Sequence, residues 1–187
     1  MVEERAWPSA MAQEPFQIST FHDPEGTIAS ARNELGRTAR GDWLCFLDAD
    51  DELAPGYLGA MKRALEREGG DGASLLLMPA VSYVHGRKRR SAVMSDIRDL
   101  TVDNFLVIGT LVQKELFLRV GGFPDYPHGF EDWAVWAKCW KAGARIVQVP
   151  DATYIAHVNP RSKHRMMWRN RRWQLEMHNR IRAEIFG

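Results

Sequence analysis

The alternation of helical and extended stretches predicts an α/β fold, and three segments carry that reading. The first is a short apolar run, Trp43-Leu44-Cys45-Phe46-Leu47, which ends in the acids Asp48, Asp50 and Asp51. A continuous run of this length reads as a strand buried on both faces, as inside a parallel sheet. The second is the pair of helices expected on either side of it, Thr27 to Ala39 and Pro55 to about Glu68, with Gly41-Asp42 as the turn between. Pro55 suits a first helical turn, where its missing N–H costs nothing. The third is Glu131 to Ala142, in which Trp133, Trp136 and Trp140 fall on one helical face and Gly143 supplies the stop. Two short strands, Arg145 to Val149 and Thr153 to Val158, are expected around Pro150-Asp151.

The remaining elements are expected as follows. Residues 1–26 are irregular and proline-containing, although Phe16 to Phe21 alternates like a half-buried strand. Gly69-Gly70-Asp71-Gly72 ends the second helix, Ser74 to Val84 is extended, and Arg87-Lys88-Arg89-Arg90 forms an exposed loop. Phe105 to Gln113 is a mixed apolar segment, followed by a short helix from Lys114 to Val120 closed by Gly121-Gly122. A long basic helix runs from Ser162 to Ile185, with Trp173, Met177, Ile181 and Ile185 on one face. Residues 1–160 therefore form one domain, and residues 161–187 a basic C-terminal helix packed on that domain or on a partner.

Composition sets the class. With 187 residues, 45% hydrophobic and 26% charged, the chain suits one soluble globular domain with a real core. Cys45 and Cys139 both lie in apolar stretches, which implies buried packing in a reducing compartment rather than a disulfide framework. No run approaches the roughly 20 apolar residues of a membrane span, and residues 1–12 lack an apolar leader segment. The expected location is cytoplasmic. The net charge of +1 is unevenly placed: residues 160–187 hold eight Lys/Arg against Glu176 and Glu184. A basic tail on an acidic body can meet phosphates, an acidic partner or a membrane surface.

Three constellations can carry chemistry. Clustered carboxylates at Asp48, Asp50 and Asp51 repel one another unless a cation joins them, and hard divalent metals take oxygen ligands. Ligands of open α/β sheets sit outside the carboxyl ends of the strands, so a metal carrying a phosphate ester is expected here. Alternation along a strand end lets Asp48 and Asp50 share a face while Asp51 turns aside or caps the next helix. Glu131 and Asp132 occupy a first helical turn beside Phe130 and Trp133. The helix dipole alone explains acids there, whereas partial burial would tune one of them as a general base. Finally, His157 ends a strand and precedes Arg161, Ser162 and Lys163, an arrangement suited to an anion.

In their order, these segments resemble a family 2 glycosyltransferase of GT-A fold. The matching text is Ala31-Arg32-Asn33, Ala39 to Asp51, Val120-Gly121-Gly122-Phe123, Glu131-Asp132-Trp133 and the closing Tyr154…His157. The resemblance implies a GT-A-like mixed sheet flanked by helices, shortened at its N-terminus, where no βαβ start is legible. It implies a nucleotide-diphosphate sugar as donor, a hydroxyl-bearing acceptor (glycan, lipid or protein) and Mn²⁺ or Mg²⁺ as cofactor. By the same resemblance Asp50, Asp48 and His157 hold the metal, and Asp48, Asp51, Arg32, Asn33, Arg161 and Lys163 line the donor. Asp132 is the base of an inverting transfer, with Glu131 touching a sugar. Tyr126, His128, Phe130 and Trp133 offer aromatic faces to an acceptor, or are simply core. The shortened start admits a second copy or a partner subunit that completes the donor site.

The alternative function is a non-catalytic GT-A-like binding or partner subunit that has lost part of the nucleotide pocket. A haloacid-dehalogenase-type phosphatase also uses acids after a buried strand, but Asp51 and Glu52 follow Asp50 where that family has Thr or Val. Nucleic acid binding by the C-terminal helix is disfavoured, because its Trp173-Met177-Ile181 side suits packing better.

Overall fold

Two long strands organise the molecule because their sequences are the most continuously apolar extended stretches. In the computed structural model, which describes residues 19–20, 26–69, 74–126, 129–158 and 170–187, these are β3 (Leu75–His85) and β6 (Arg145–His157). They run parallel over their length, Leu75 beside Arg145 and Val84 beside His157, with a register shift between Pro79 and Ala80. The other strands are short: β1 (Trp43–Leu44), β2 (Glu52–Leu53), β4 (Lys88–Arg89) and β5 (Leu111–Gln113). The order across the sheet is β1-β5-β3-β6-β2, with β4 pairing the far end of β3.

All pairings other than β3–β6 are antiparallel. The apolar run at Trp43 is therefore not the doubly buried parallel strand expected. Only Trp43 and Leu44 pair, on one side, with Gln113 and Val112, and Leu47 is exposed. Its apolar character comes instead from one-sided packing: Phe46 meets the rings of Phe117 and Phe123 at 5.3 and 4.9 Å. Likewise β6 is one strand and not two. Pro150 and Asp151 sit at the register shift, where a bulge accommodates a residue without a ladder N–H.

The helices follow the sequence closely. Helix α1 (Ile28–Thr38) opens with a capping box in which Thr27 and Ser30 exchange side-chain-to-backbone bonds of 3.1 and 2.8 Å. Next come α2 (Tyr57–Glu68), α3 (Lys114–Arg119), α4 (Glu131–Lys141) and α5 (Arg171–Phe186). In α4, Trp133 and Trp136 are fully buried, while Trp140 is partly covered and lies near Phe186. Helix α5 buries Met177, Ile181 and Ile185 against the domain, and the side chain of Lys141 caps its end by donating to the Ile185 carbonyl. Its expected first part, before Asn170, lies outside the described residues, as does the alternating Phe16–Phe21 stretch apart from Ser19 and Thr20.

One buried post ties the acidic end of the sheet to its centre. Tyr154 is fully buried and its hydroxyl donates to Asp51 Oδ2 at 2.6 Å. Its ring lies against Gly109, where an added Cβ would come within 2.2 Å of Tyr154 Cδ2. Gly109 also offers its carbonyl to the Tyr57 hydroxyl and, at 3.5 Å, to Cys45. Gly109→Ala is expected to destabilise the fold by about 1–3 kcal/mol through overpacking. Urea denaturation should show a lower midpoint, and an unchanged midpoint would mean that Tyr154 can shift freely.

Candidate active site

The acids that end the β1 run and the acids that open α4 meet through one arginine. Arg32, on α1, donates to Asp48 Oδ1 at 2.5 Å and to Glu131 Oε1 at 2.8 Å. Its side chain is 12% exposed, low enough for a bare charge to be costly there. Burial opposes its charge, yet Asp48, Glu131 and Asp132 outweigh that, and its pKa is raised. The guanidinium lies 5.4 Å from the Phe123 ring centroid. Phe123 is fixed in turn by the next residue of α1, since Asn33 Nδ2 donates to its carbonyl and Asn33 Oδ1 accepts from its N–H, both at 2.8 Å. Gly122 makes this clamp feasible: φ is +63°, and a Cβ would stand 2.3 Å from Asn33 Oδ1. Asn33, expected on the donor, is thus committed to the backbone.

The Glu131-Asp132 pair begins on a strained turn. Phe130 adopts φ +71°, unusual for a bulky residue, directly before Glu131. Its ring is held by Trp133, Trp173 and His178, with centroids 6.0, 5.2 and 5.5 Å away. Asp132 Oδ1 accepts the N–H of Trp133 at 2.7 Å, and Oδ2 accepts from Asn104 Nδ2 at 3.1 Å. Burial, then the neighbouring Glu131, pushes its pKa up to about 6. The aromatics proposed for an acceptor are mostly core: Trp133 is fully buried, Phe130 and Tyr126 nearly so, and Tyr126 donates to Glu184. His128 lies outside the described residues, as do Arg161 and Lys163.

The three aspartates separate. A turn closed by Asp51 N–H donating to the Asp48 carbonyl sends Asp48 to Arg32, buries Asp51 and leaves Asp50 exposed. Asp51, expected to turn aside, points into the protein, where it accepts from Tyr154 and from the His157 N–H at 2.7 Å. Burial raises its pKa to about 6 despite those bonds. Strand β2 pairs with β6 as Glu52 with Ile155 and Leu53 with Tyr154. The turn at Ala49-Asp50 ends that pairing, and the side chain of Asp51 accepts the His157 N–H, so Asp50 is the chain neighbour of a residue that touches His157 and the two lie at one end of the sheet. His157 Nε2, however, is engaged by Glu52 Oε1 at 2.7 Å.

Sequence reasoning missed Glu52, Asn104, Trp173 and His178 as neighbours of the expected site residues. Only Glu52 had a local signal, by continuing the acidic run. Asn104 and His178 sit in segments whose approach to α4 is a tertiary fact.

The family model for Glycosyl transferase family 2 matches residues 6–118. The chain belongs to that family. A protein of Haemophilus influenzae described as an uncharacterized glycosyltransferase is 22% identical over 121 residues, covering 56% of this chain and 38% of that protein. Staphylococcus aureus TarS, residues 1–349, solved in complex with UDP-GlcNAc, superposes with a TM-score of 0.60 at 17% identity. That match covers 80% of this chain and 44% of TarS 1–349. GalNAc-T7, solved with UDP, GalNAc and Mn²⁺, gives a TM-score of 0.52 at 15% identity, covering 71% of this chain and 30% of its own. The fold is thus GT-A-like, a mixed sheet with flanking helices, and the chain spans less than half the length of these relatives. Among the described residues no helix is long and apolar enough to cross a membrane.

Two carboxyls with raised pKa make stability depend on pH in a defined direction. Between the ordinary value of 3.8 and about 6, folded Asp132 and Asp51 hold protons that the unfolded chain has lost. Their contribution therefore weakens as pH rises through that window. Denaturation in urea across pH 4 to 7 should show Asp132→Asn losing stability less steeply than the unmodified chain. An identical slope would place the Asp132 titration elsewhere.

Proposed function

We propose that the chain transfers a sugar from a nucleotide-diphosphate donor to a hydroxyl acceptor, with inversion, in a metal-dependent reaction. The observation that carries this reading is the Arg32 bridge, which holds Asp48 beside the α4 terminus bearing Asp132. Family membership and UDP-bound structural relatives support the donor class, and a uridine nucleotide is the first donor to try.

Asp132 is the proposed base. At a pKa of about 6 it is ionised at neutral pH yet still basic enough to accept a proton from an attacking hydroxyl. Asn104 and the Trp133 N–H fix its two oxygens, so its orientation is set before an acceptor arrives. A hydroxyl held by Asp132 and attacking opposite the leaving diphosphate gives inversion in one displacement. Glu131, tied to Arg32, is placed to touch a sugar hydroxyl, and Arg32 keeps the surrounding negative charge from accumulating.

The residues fit a divalent cation of the Mn²⁺ or Mg²⁺ kind. Asp50 is exposed and has no hydrogen-bond or ion-pair partner among the described residues, and its oxygens are hard donors. Among the described residues no three acidic, histidine or cysteine side chains gather into a cage. That suits an ion held by one or two carboxylates and completed by water and phosphate oxygens. Asp50, with Asp48 or His157 as a second ligand, would hold it, and it would offset charge on the departing diphosphate. Arg161 and Lys163 remain proposed diphosphate contacts. Glu52, by accepting from His157 Nε2, leaves Nδ1 available and fixes the ring, the usual arrangement behind a metal-bound imidazole.

Asp132→Asn is expected to keep its fold and lose 10²- to 10⁴-fold in turnover, measured as nucleotide release with donor, Mn²⁺ and acceptor. In the unmodified chain kcat/KM should fall about tenfold per pH unit below pH 6. Retained activity in the variant would remove Asp132 from this role. Glu52→Gln should weaken Mn²⁺ binding 10- to 100-fold, read by direct titration of the metal. Unaltered affinity would mean that His157 serves only the fold.

A further inference from the structure

We infer that the β3–β4 hairpin is a subsite for a phosphate carried by the acceptor, which rests on the transfer reaction proposed above. Gly86, at φ +60°, turns β3 into β4 within two residues, so the basic run Arg87-Lys88-Arg89-Arg90 projects as a short ribbon. All four side chains are exposed, and among the described residues none forms an ion pair. What distinguishes the run is that its four cations are consecutive on one tight hairpin, whereas Lys62 and Arg63, also without an ion pair among the described residues, are only two. Other exposed arginines such as Arg37, Arg119, Arg145 and Arg172 do have a carboxylate within 4 Å. Four adjacent cations without a counter-charge repel one another, which a bound anion would relieve.

Register places this ribbon beside the proposed site. Arg89 pairs with Val84 and Val84 with His157, whose ring bonds Glu52 on the neighbouring strand. Residues opposite one another in neighbouring strands project to the same face, so Arg89, Val84, His157 and Glu52 share one side of the sheet. The contact of Arg89 Nε with Ser82 Oγ at 3.3 Å, and of His157 with Glu52, agree with that assignment. Two strand spacings separate Arg89 from His157, roughly 10 Å. That is too far for the ribbon to grip the same diphosphate as Asp50 and His157, but about one to two sugar lengths along an extended acceptor. A neutral acceptor would leave the charges unmatched, whereas a phosphomonoester or phosphodiester would match them.

The test uses the full chain and two double variants, Arg87→Glu with Arg89→Glu in the hairpin, and Lys62→Glu with Arg63→Glu on α2. The second makes the same change in net charge at another exposed surface. With chelator present, so that no divalent ion bridges, titration with short-chain inorganic polyphosphate should show binding that weakens steeply with salt. The hairpin variant should lose about tenfold or more in affinity and the α2 variant little, while both retain Mn²⁺-dependent donor hydrolysis. Equal losses in both variants, or none in the hairpin variant, would overturn the inference. So would hairpin-dependent binding to mixed phosphatidylcholine–phosphatidylglycerol vesicles without binding to polyphosphate, since that result assigns the ribbon to a bilayer. Absence of donor hydrolysis in the unmodified chain would fail the transferase reading alone, because the polyphosphate titration still decides whether the hairpin takes phosphate.

Discussion

Arg32 is the constraint on which the site depends. One guanidinium, largely withdrawn from water, satisfies a carboxylate from the segment after β1 and another from the start of α4. Those residues lie 16 and 99 positions away along the chain. Without a cation between them, Asp48, Glu131 and Asp132 would repel in a partly desolvated space. A planar fork with several fixed donors can reach two carboxylates at once, which a lysine ammonium does less well. The support beneath it is aromatic: Phe123 lies against the guanidinium and is held by Asn33, the adjacent residue of the same helix.

The same region accepts energetic costs that a purely structural domain has no reason to keep. Asp132 is buried enough to raise its pKa, Phe130 is held in a left-handed conformation, and Asp51 carries its carboxyl into the interior. Each cost is compensated locally. Asn104 and the Trp133 N–H bond Asp132, three rings clasp Phe130, and Tyr154 with the His157 N–H satisfies Asp51. Strain and raised pKa values gathered at one edge of a fold are a physical signature of a functional site. Helix α5 belongs to this economy, since Trp173 and His178 cover the turn that presents Glu131 and Asp132.

Much of the fold was legible because helix signals are local. The Thr27 cap, Pro55, the tryptophan spacing of α4 and the stop at Gly143 marked helices whose ends agree within a few residues. Strand reading was weaker. The Trp43 run looked doubly buried because an apolar strand and an apolar loop packed on one side by phenylalanines have the same local pattern. The break at Pro150-Asp151 looked like two strands because a bulge and a turn use the same residues.

The sequence by itself determined the helices, the α/β class, the family and the three acidic or histidine-bearing segments, since each is written in neighbouring residues. Tertiary structure alone decided what each acid does. Asp48 goes to Arg32, Asp51 turns inward to Tyr154, Asp50 stays exposed, and Glu52 takes His157. Four carboxylates within five residues, Asp48 to Glu52, look alike along a chain. Their separation depends on which partners a mixed sheet, with its antiparallel β2–β6 register, carries to each of them across more than a hundred residues of sequence.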